Sequence, residues 1–512
     1  MVSWWKSFVV SLTPSRDPIY AAAPTQNVQG SSSSSLKSSA SSIVDEKRDQ
    51  DYPRSLPSDL TSKHKANVFD KITRAAGTPT FFFIMLSLVT LWALAGIIYG
   101  PSDTWQIIFQ NASSVQVYIE SMLLLRQQAT ASRAIKTTLA EVQSRNKSCE
   151  RLLRQIPDCA FMETHSAPQK DLSVEGKSID DETARNLSMV AATPTRFQRI
   201  WSKSCRGMSV VLGSIYTFII YWIGIGVWIA LGPSLMFGNE WQLYINTATA
   251  VALTFTSVFL QSLEQQQEDT LETCLEFALK IDADIEYHLR DLLEDNKPNP
   301  IVSIPVPSSN RVEGSIERFG LAFGGALGGM ITLIFLVGWI AVGPLLQFND
   351  NWILILGTFT GLIGFVMSFT LRNLFTRAEK EAEYEFRAIA DSDEKLLNML
   401  NVPVPKNPKF ELSLSARIGV ATGEICANQW TWVAAVFTVF ALLLTATLMQ
   451  WSETGQLLCN TPTMIIEGFL LLVLIQASNA SVQARSADFN GVLKRRLLLN
   501  SYVHTLSYEN QI

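Results

Sequence analysis

Residues 81–125 read FFFIMLSLVTLWALAGIIYGPSDTWQIIFQNASSVQVYIESMLLL, and this stretch decides the fold. Its first twenty residues are predominantly apolar, and a second apolar run follows the short turn PSDT at 101–104. A hydrocarbon core about 30 Å thick is crossed by roughly 20 apolar residues of helix, so each run is long enough to span it once. The stretch therefore predicts a hairpin of two transmembrane helices.

Similar runs recur along the chain of 512 residues, which is 47% hydrophobic although 17% of its residues are charged. None of the runs contains Lys or Arg, so the charges are concentrated between them. We predict an all-α integral membrane protein with eight transmembrane helices. The predicted spans are 80–99, 105–125, 208–232, 241–260, 320–344, 352–371, 430–450 and 456–477.

The eight runs come in four pairs, with short connections inside a pair and long charged segments between pairs. Trp105, Trp241 and Trp352 start the second run of the first three pairs, and we interpret this Trp as an interfacial anchor. The segments between pairs include long amphipathic helices. This periodicity predicts one unit copied four times. The predicted division is a Ser-rich, disordered N-terminal tail at 1–70 and four repeats at 71–200, 201–318, 319–418 and 419–512, each of which contains a hairpin and its cytosolic segment.

The four short connections contain no Lys or Arg, whereas the opposite side of the predicted membrane is rich in both. By the positive-inside rule, both termini and the long segments are predicted to be cytosolic. Each connection also carries one acid. These acids are Asp103, Glu240, Asp350 and Glu453. One such acid alone would be read as a solvated loop residue, but four without a nearby base indicate attraction of cations.

Polar residues follow one face of the second helix in each hairpin. In the fourth copy Gln456, Asn460, Thr463 and Glu467 are spaced four, three and four residues apart, which places them on one helical face. The second copy has Gln242, Asn246 and Thr249 at the same offsets, and the first has Gln106, Gln110, Gln116 and Glu120. Turned inward, these stripes would line a polar path.

Glu120 and Glu467 are the strongest candidates for function, because a carboxylate at the bilayer centre costs about 2.5–3.5 kcal/mol and helix packing does not require one. For Asn246 and Asn460, packing between helices and lining a path remain equal alternatives. Carboxylate, amide and hydroxyl oxygens suit hard or borderline divalent cations and would hold them loosely. We expect the candidate metal ligands to be Glu120, Glu467, Asn246 and Asn460, together with the four connection acids. The glutamines and threonines of the stripes are expected to line the path.

Three functions remain open at this point. The first is a permease for divalent metal ions, the second a channel or carrier for a monovalent cation, and the third a membrane scaffold that acts through its cytosolic helices. No phosphate-binding loop, Cys/His pair or paired-acid cleft indicates an enzyme, and neither a resident cofactor nor a nucleic-acid partner is expected. The lipid bilayer is the expected surrounding of such a chain, and whether one copy or a homo-oligomer forms the path is left open.

The text LWALAGIIYGPSDTWQIIFQNASS, from Leu91, resembles the first hairpin of the low-affinity iron permease family. EWQLYINTAT at 240–249 and QLLCNTPT at 456–463 repeat the I-N-T-x-T element of that family, the latter with Cys459 in place of Ile. Asp103, Trp105 and Gln106 match its motif directly. The resemblance implies low-affinity uptake of Fe²⁺, and of some Zn²⁺, across the plasma membrane.

Overall fold

The computed structural model of the chain describes residues 18–26, 68–100, 102–156, 196–306, 309–400, 402–404 and 414–509. Within these ranges the chain is almost entirely helical, so the all-α prediction is confirmed. The helices are α1 Val68–Ala76, α2 Pro79–Tyr99, α3 Asp103–Leu153, α4 Arg196–Leu212, α5 Ile215–Leu231, α6 Asn239–Leu293, α7 Arg311–Phe323, α8 Ala326–Val342, α9 Asp350–Met399, α10 Leu414–Ala427, α11 Gln429–Leu448 and α12 Glu453–Glu509. A 3₁₀ turn, Pro233–Leu235, precedes α6, and two short strands are β1 Ile19–Ala21 and β2 Val302–Ile304.

Four long helices, α3, α6, α9 and α12, form a bundle. They contain 51, 55, 50 and 57 residues, which corresponds to about 75–85 Å each. Each runs without a break from its predicted span into the following amphipathic segment, so the two predicted helices are one. We call the predicted span of each long helix its apolar half and the remainder its polar half. Around the bundle the order is α3, α6, α12, α9, which places α3 diagonally opposite α12.

The shorter apolar helices α2, α5, α8 and α11 pack on the outside of this bundle. Only about one residue in nine of the apolar stretches of α2 and α11 is buried, against roughly two thirds or more for α6, α9 and α12. Large side chains such as Ile97, Tyr216 and Ile334 are among their exposed residues. An apolar surface of this extent is what a lipid-facing helix presents.

Two predicted spans are divided in the structure. The predicted span 208–232 is bent, because α4 and α5 meet at an angle of 57°, at Gly213–Ser214. The predicted span 320–344 is bent in the same way, since α7 and α8 meet at 65° across Gly324 and Gly325. In the first break the Ser214 side chain caps the new helix by accepting a hydrogen bond from the Thr217 amide.

Five helices of the described chain, α2, α6, α9, α11 and α12, are long and apolar enough to cross a membrane, and seven if each bent pair counts as one span. The predicted span 105–125, in α3, does not meet that criterion. Its polar residues lower its hydropathy, but they are turned inward. Gln106, Gln110, Asn111 and Glu120 are all buried within the bundle.

Paired indoles join the two helices of the first three hairpins. Trp92 stacks on Trp105, Trp228 on Trp241 and Trp339 on Trp352, with ring centroids 3.9–4.0 Å apart and planes 8° from parallel. In the second and third hairpins each indole Nε1 donates to the backbone carbonyl of its partner at 2.8–2.9 Å. The repeated Trp thus fastens one helix to the next, a role that its interpretation as an interfacial anchor did not include.

The polar halves of the long helices pack on one another. Leu275, Ile285 and Leu289 of α6 are buried, as are Phe386 and Ile389 of α9, so the apolar faces predicted for these segments are confirmed. They form continuous cores with residues of α3 and α12. The amphipathic segments are therefore partners of one another within the chain.

Buried ion pairs connect all four polar halves. The Arg496 guanidinium of α12 lies 2.8 Å from Asp282 of α6 and 2.9 Å from Asp393 of α9. Glu286 of α6 accepts from Arg145 of α3 at 3.2 Å and from Arg290 at 2.8 Å. Charges so deeply buried are tolerated because each has a charged partner, and removing one partner is costly.

A segment of the predicted N-terminal tail is ordered against this polar half. β1 pairs antiparallel with β2, and the Ala23 amide donates to Ser144 Oγ at 3.2 Å. Asn299 Nδ2 donates to the carbonyl of Ala23 at 3.2 Å and to Glu286 Oε1 at 2.8 Å. Residues 18–26 thus differ from the disorder predicted for 1–70, whereas 1–17 and 27–67 lie outside the described residues.

Candidate metal-conducting path

The predicted polar stripes lie inside the apolar half of the bundle. Among the candidate residues, Gln106, Gln110, Glu120, Gln242, Asn246, Thr249, Gln456, Asn460, Thr463 and Glu467 are all buried. The sequence pattern gives the reason. Each long helix carries its polar residues on one face, and that face turns toward the other long helices because lipid cannot satisfy these groups.

Several of these buried side chains have an oxygen atom with no hydrogen-bond partner among the described residues. Such oxygens are rare in protein interiors, because an unsatisfied buried acceptor costs about 1–3 kcal/mol. They are Asn111 Oδ1, Gln116 Oε1, Glu120 Oε2, Gln242 Oε1, Asn246 Oδ1, Gln456 Oε1 and Asn460 Oδ1. Other buried oxygens without a partner lie elsewhere in the described chain, Gln261 Oε1 and Asn373 Oδ1 among them, but these seven all belong to the apolar halves. Oxygens of this kind are potential ligands for water or for a cation.

Asparagines from diagonally opposite helices reach the same place, and a glycine of α9 leaves the room. A Cβ built at Gly357 would overlap Asn111 Oδ1 of α3, and it would lie 3.7 Å from Asn460 Nδ2 of α12. Asn111 donates its amide to the Ile107 carbonyl of its own helix at 2.7 Å, which leaves Oδ1 turned away from that helix. Asn246, on α6, is fully buried and has neither amide atom paired in the described chain.

Hydroxyl groups form the next level, three residues further along three of the long helices. Thr249, Thr360 and Thr463 each donate to a carbonyl of the preceding turn, at 2.8–2.9 Å. A hydroxyl whose hydrogen is engaged in this way presents only its lone pairs to its surroundings. Ser113 holds the equivalent place on α3, but it bonds to α6, through the Ala250 carbonyl at 2.9 Å.

The two buried carboxyl groups come deeper in the bundle. Glu467 of α12 faces α9, where Ser368 Oγ lies 3.5 Å from its Oε1 and a Cβ on Gly364 would lie 2.7 Å from the same atom. Glu120, of α3, has Oε2 unpaired. Neither has an ion-pair partner among the described side chains, and no contact joins the two glutamates there.

Three glutamines predicted to line the path instead connect α3 to α6. Gln110 Nε2 donates to Thr247 Oγ1 at 2.9 Å, and Thr247 in turn donates to Gln106 Oε1 at 3.1 Å. Gln116 Nε2 donates to Ser257 Oγ at 3.0 Å. These bonds favour a packing role for Gln106 and Gln110, and Asn111, one position later, supplies the inward oxygen of α3.

The acids of the short connections lie at the first turn of the long helices. Asp103 and Glu240 are exposed and Glu453 is half-buried, while the side chain of Asp350 lies outside the described part of the structure. Acids in a first turn interact favourably with the helix dipole, so this position has a structural reason as well as a functional one.

Beyond the stripes, where the polar halves begin, lies a cavity of about 290 Å³. Its charged lining residues are both acidic and basic: Glu264, Glu268, Glu272 and Glu276 of α6, with Arg74, Lys136 and Arg485. Gln127 Nε2 donates to Glu268 Oε2 at 2.9 Å. The cavity therefore carries charges of both signs, with the four glutamates of α6 on one side of it.

The chain is similar to known proteins over most of its length. A family model described as low affinity iron permease matches four successive segments, 66–194, 201–285, 318–402 and 415–498. A low-affinity iron/zinc ion transport protein of Schizosaccharomyces pombe is 35% identical in an alignment of 500 residues that covers 94% of this chain and 82% of that protein. A low-affinity Fe(2+) transport protein of Saccharomyces cerevisiae is 31% identical in an alignment of 469 residues that covers 85% of this chain and 82% of that one. No solved structure matches the chain. It belongs to the low-affinity iron permease family.

Proposed function

We propose that the chain carries out low-affinity uptake of divalent metal ions, Fe²⁺ first and Zn²⁺ with it, through the interior of the apolar half of the bundle. The buried oxygens without partners carry this proposal. If these residues served packing alone, we would expect their oxygens to be hydrogen-bonded within the bundle or to be replaced by apolar groups. A hydrated cation gives such oxygens the partner that they lack. The names of the two relatives, as iron/zinc and Fe(2+) transport proteins, support the same conclusion.

The proposed topology is eight spans in four hairpins. Four successive matches to one family model support it, as do the three Trp pairs and the similar connections. Before the second, third and fourth long helices, two successive residues have positive φ, and one further residue separates them from the helix. They are Met236 and Phe237, Gln347 and Phe348, and Gln450 and Trp451. We take α3 as the eighth span, because its polar face is covered by the other long helices.

The proposed orientation has the short connections outside and the polar halves in the cytosol, with the chain in the plasma membrane. The distribution of Lys and Arg supports this direction. Ions would then enter between the acids at the starts of the long helices, pass Asn246, Asn460 and the threonine level, and leave beyond Glu467 into the charged cavity where the polar halves begin. One copy supplies all four long helices, so the path needs no second copy.

The ligand chemistry accounts for a low affinity. No histidine lies in the apolar halves, and amide and hydroxyl oxygens hold transition metals weakly. Weak binding favours flux, because an ion must leave a site as readily as it enters. A divalent ion moving inward gains about 4.6 kcal/mol per 100 mV of negative interior potential, which is sufficient to drive uptake.

The scaffold alternative is less well supported. It requires free apolar faces on the amphipathic segments, but Leu275 and Phe386, at the centres of those faces, are buried against other segments of the chain. The alternative of a monovalent cation is tested by competition, because excess Zn²⁺ would suppress Fe²⁺ uptake at a shared divalent site.

The experiment is radiolabelled Fe²⁺ uptake into metal-starved cells that express the wild type, Glu467→Gln or Glu383→Gln at equal surface abundance. Glu383 is an exposed glutamate of the polar half of α9, so its variant removes a charge far from the path. Glu467→Gln is expected to reduce uptake at least about tenfold, the effect of losing 1.4 kcal/mol of ion stabilisation, with Glu383→Gln unchanged. Equal uptake by all three would remove Glu467 from the mechanism.

A further inference from the structure

A second cluster of metal-binding side chains lies far from the path, at the end of the polar half. Asp284 and His288 are one turn apart on α6, and His504 comes from α12. One ligand atom from each residue lies within 4.8 Å of the other two. Along α6, His288 is 42 positions beyond Asn246, which is roughly 60 Å of helix, so the cluster is separate from the path.

A hydrogen bond to the backbone orients the His288 ring as a ligand. His288 Nδ1 lies 2.8 Å from the backbone carbonyl of Asp284, and because a carbonyl only accepts, Nδ1 carries the hydrogen. The lone pair of that ring is therefore on Nε2, the arrangement found when a metal-binding imidazole is oriented by a carbonyl. His504 Nε2 lies 3.3 Å from Asp284 Oδ2, and Asn500 Nδ2 donates to the same oxygen at 3.2 Å.

The three groups are close together and accessible to solvent. Their side-chain exposures are 47% for Asp284, 20% for His288 and 39% for His504. The two imidazole rings lie with centroids 3.9 Å apart, beside one carboxylate. A hydrogen-bonded contact between α6 and α12 needs only one of the two rings, whereas two nitrogens and one oxygen are a typical donor set for Fe²⁺, Co²⁺ and Zn²⁺.

We propose that Asp284, His288 and His504 form a binding site for a divalent transition-metal ion, selective against Mg²⁺ and Ca²⁺ because two of its donors are imidazoles. A bound ion joins the ends of α6 and α12. The proposal stands on the cluster itself and not on the transport path, whose donors are oxygens.

The test is a Co²⁺ titration of the purified full-length protein in detergent, followed by visible absorption. Ligand-field bands distinguish Co²⁺ bound by imidazole from Co²⁺ held by the oxygens of the path. The wild type is expected to show imidazole-type bands that saturate at one equivalent and are displaced by Zn²⁺ but not by Mg²⁺. The double variant His288→Gln/His504→Gln is expected to lose them. Each single variant should bind at least about tenfold more weakly, since even outer partners of metal ligands are worth 10–100-fold.

Asp291→Asn is the matched control, because Asp291 is exposed on the same helix and outside the cluster. Gel filtration verifies that each variant is folded, and Asp284→Asn gives the same comparison if the double variant is not. A wild type without imidazole-type bands, or a folded double variant with the wild-type titration, would overturn the proposal. Unchanged Fe²⁺ uptake in Glu467→Gln would leave it intact.

Discussion

Gly361 and Gly364 of α9 are three positions apart, which is close to one helical turn. They provide a sharp test of the path, because the same substitution meets different surroundings at each. A Cβ at Gly364 would lie 2.7 Å from Glu467 Oε1 and 3.5 Å from its Cδ, so the carboxyl group must move. A Cβ at Gly361 would lie 3.6 Å from Thr463 Oγ1 and 3.9 Å from Asn460 Oδ1, which are ordinary contacts.

The effect on folding is expected to be small for both variants. Gly→Ala in a helix interior stabilises by about 1 kcal/mol, and this gain is common to the two. At position 364 crowding costs about 1 kcal/mol, the low end for overpacking, because the displaced atom is the tip of a flexible side chain. Surface abundance should therefore be similar, while the Glu467 carboxyl group is displaced in only one variant.

The assay is the initial rate of radiolabelled Fe²⁺ uptake per molecule at the cell surface. Gly364→Ala is expected to reduce it about tenfold, comparable to Glu467→Gln, and Gly361→Ala to stay within about twofold of wild type. Equal losses in the two alanine variants, or a fully active Gly364→Ala, would refute the position that we assign to Glu467.

Two further predictions concern stability. Trp228→Phe removes a hydrogen bond to the Trp241 carbonyl and is expected to lower the unfolding free energy by about 0.5–1.5 kcal/mol. Trp92→Phe should lower it less, because Nε1 of Trp92 has no partner among the described residues. Thermal unfolding in detergent measures both, and an equal loss would contradict the role of the reciprocal bonds. Arg496→Met leaves Asp282 and Asp393 without their shared guanidinium and should cost about 3–5 kcal/mol, so a wild-type melting temperature would show that the buried network is dispensable.

Much of the fold follows from local patterns in the sequence. The apolar runs predict the hairpins, and the 3.6-residue periodicity predicts that Leu275, Ile285 and Phe386 face a core. The pairing of indoles was also readable, because Trp92 and Trp105, Trp228 and Trp241, and Trp339 and Trp352 are each 13 positions apart. The sequence did not predict that each span and the polar segment after it form one continuous helix. A change of composition looks the same whether or not a helix ends there.

The candidate site could be predicted only in part, because its geometry depends on which long helices are neighbours. The stripes identified Asn246, Asn460 and Glu467 as inward residues. They did not distinguish Gln110, which bonds to α6, from Asn111, whose oxygen faces Gly357. Nor did they reveal that the glycines of the third copy make room for side chains of α3 and α12, a property of the assembled bundle.

The most direct test of the central claim is to locate a bound ion by anomalous diffraction from crystals of the protein soaked in Co²⁺ or Mn²⁺. We expect an anomalous peak inside the apolar half of the bundle, within about 2.5 Å of an oxygen of Asn246, Asn460 or Glu467. Peaks confined to the protein surface and to the histidine cluster, with the bundle interior free of metal at saturating concentration, would contradict the proposed path.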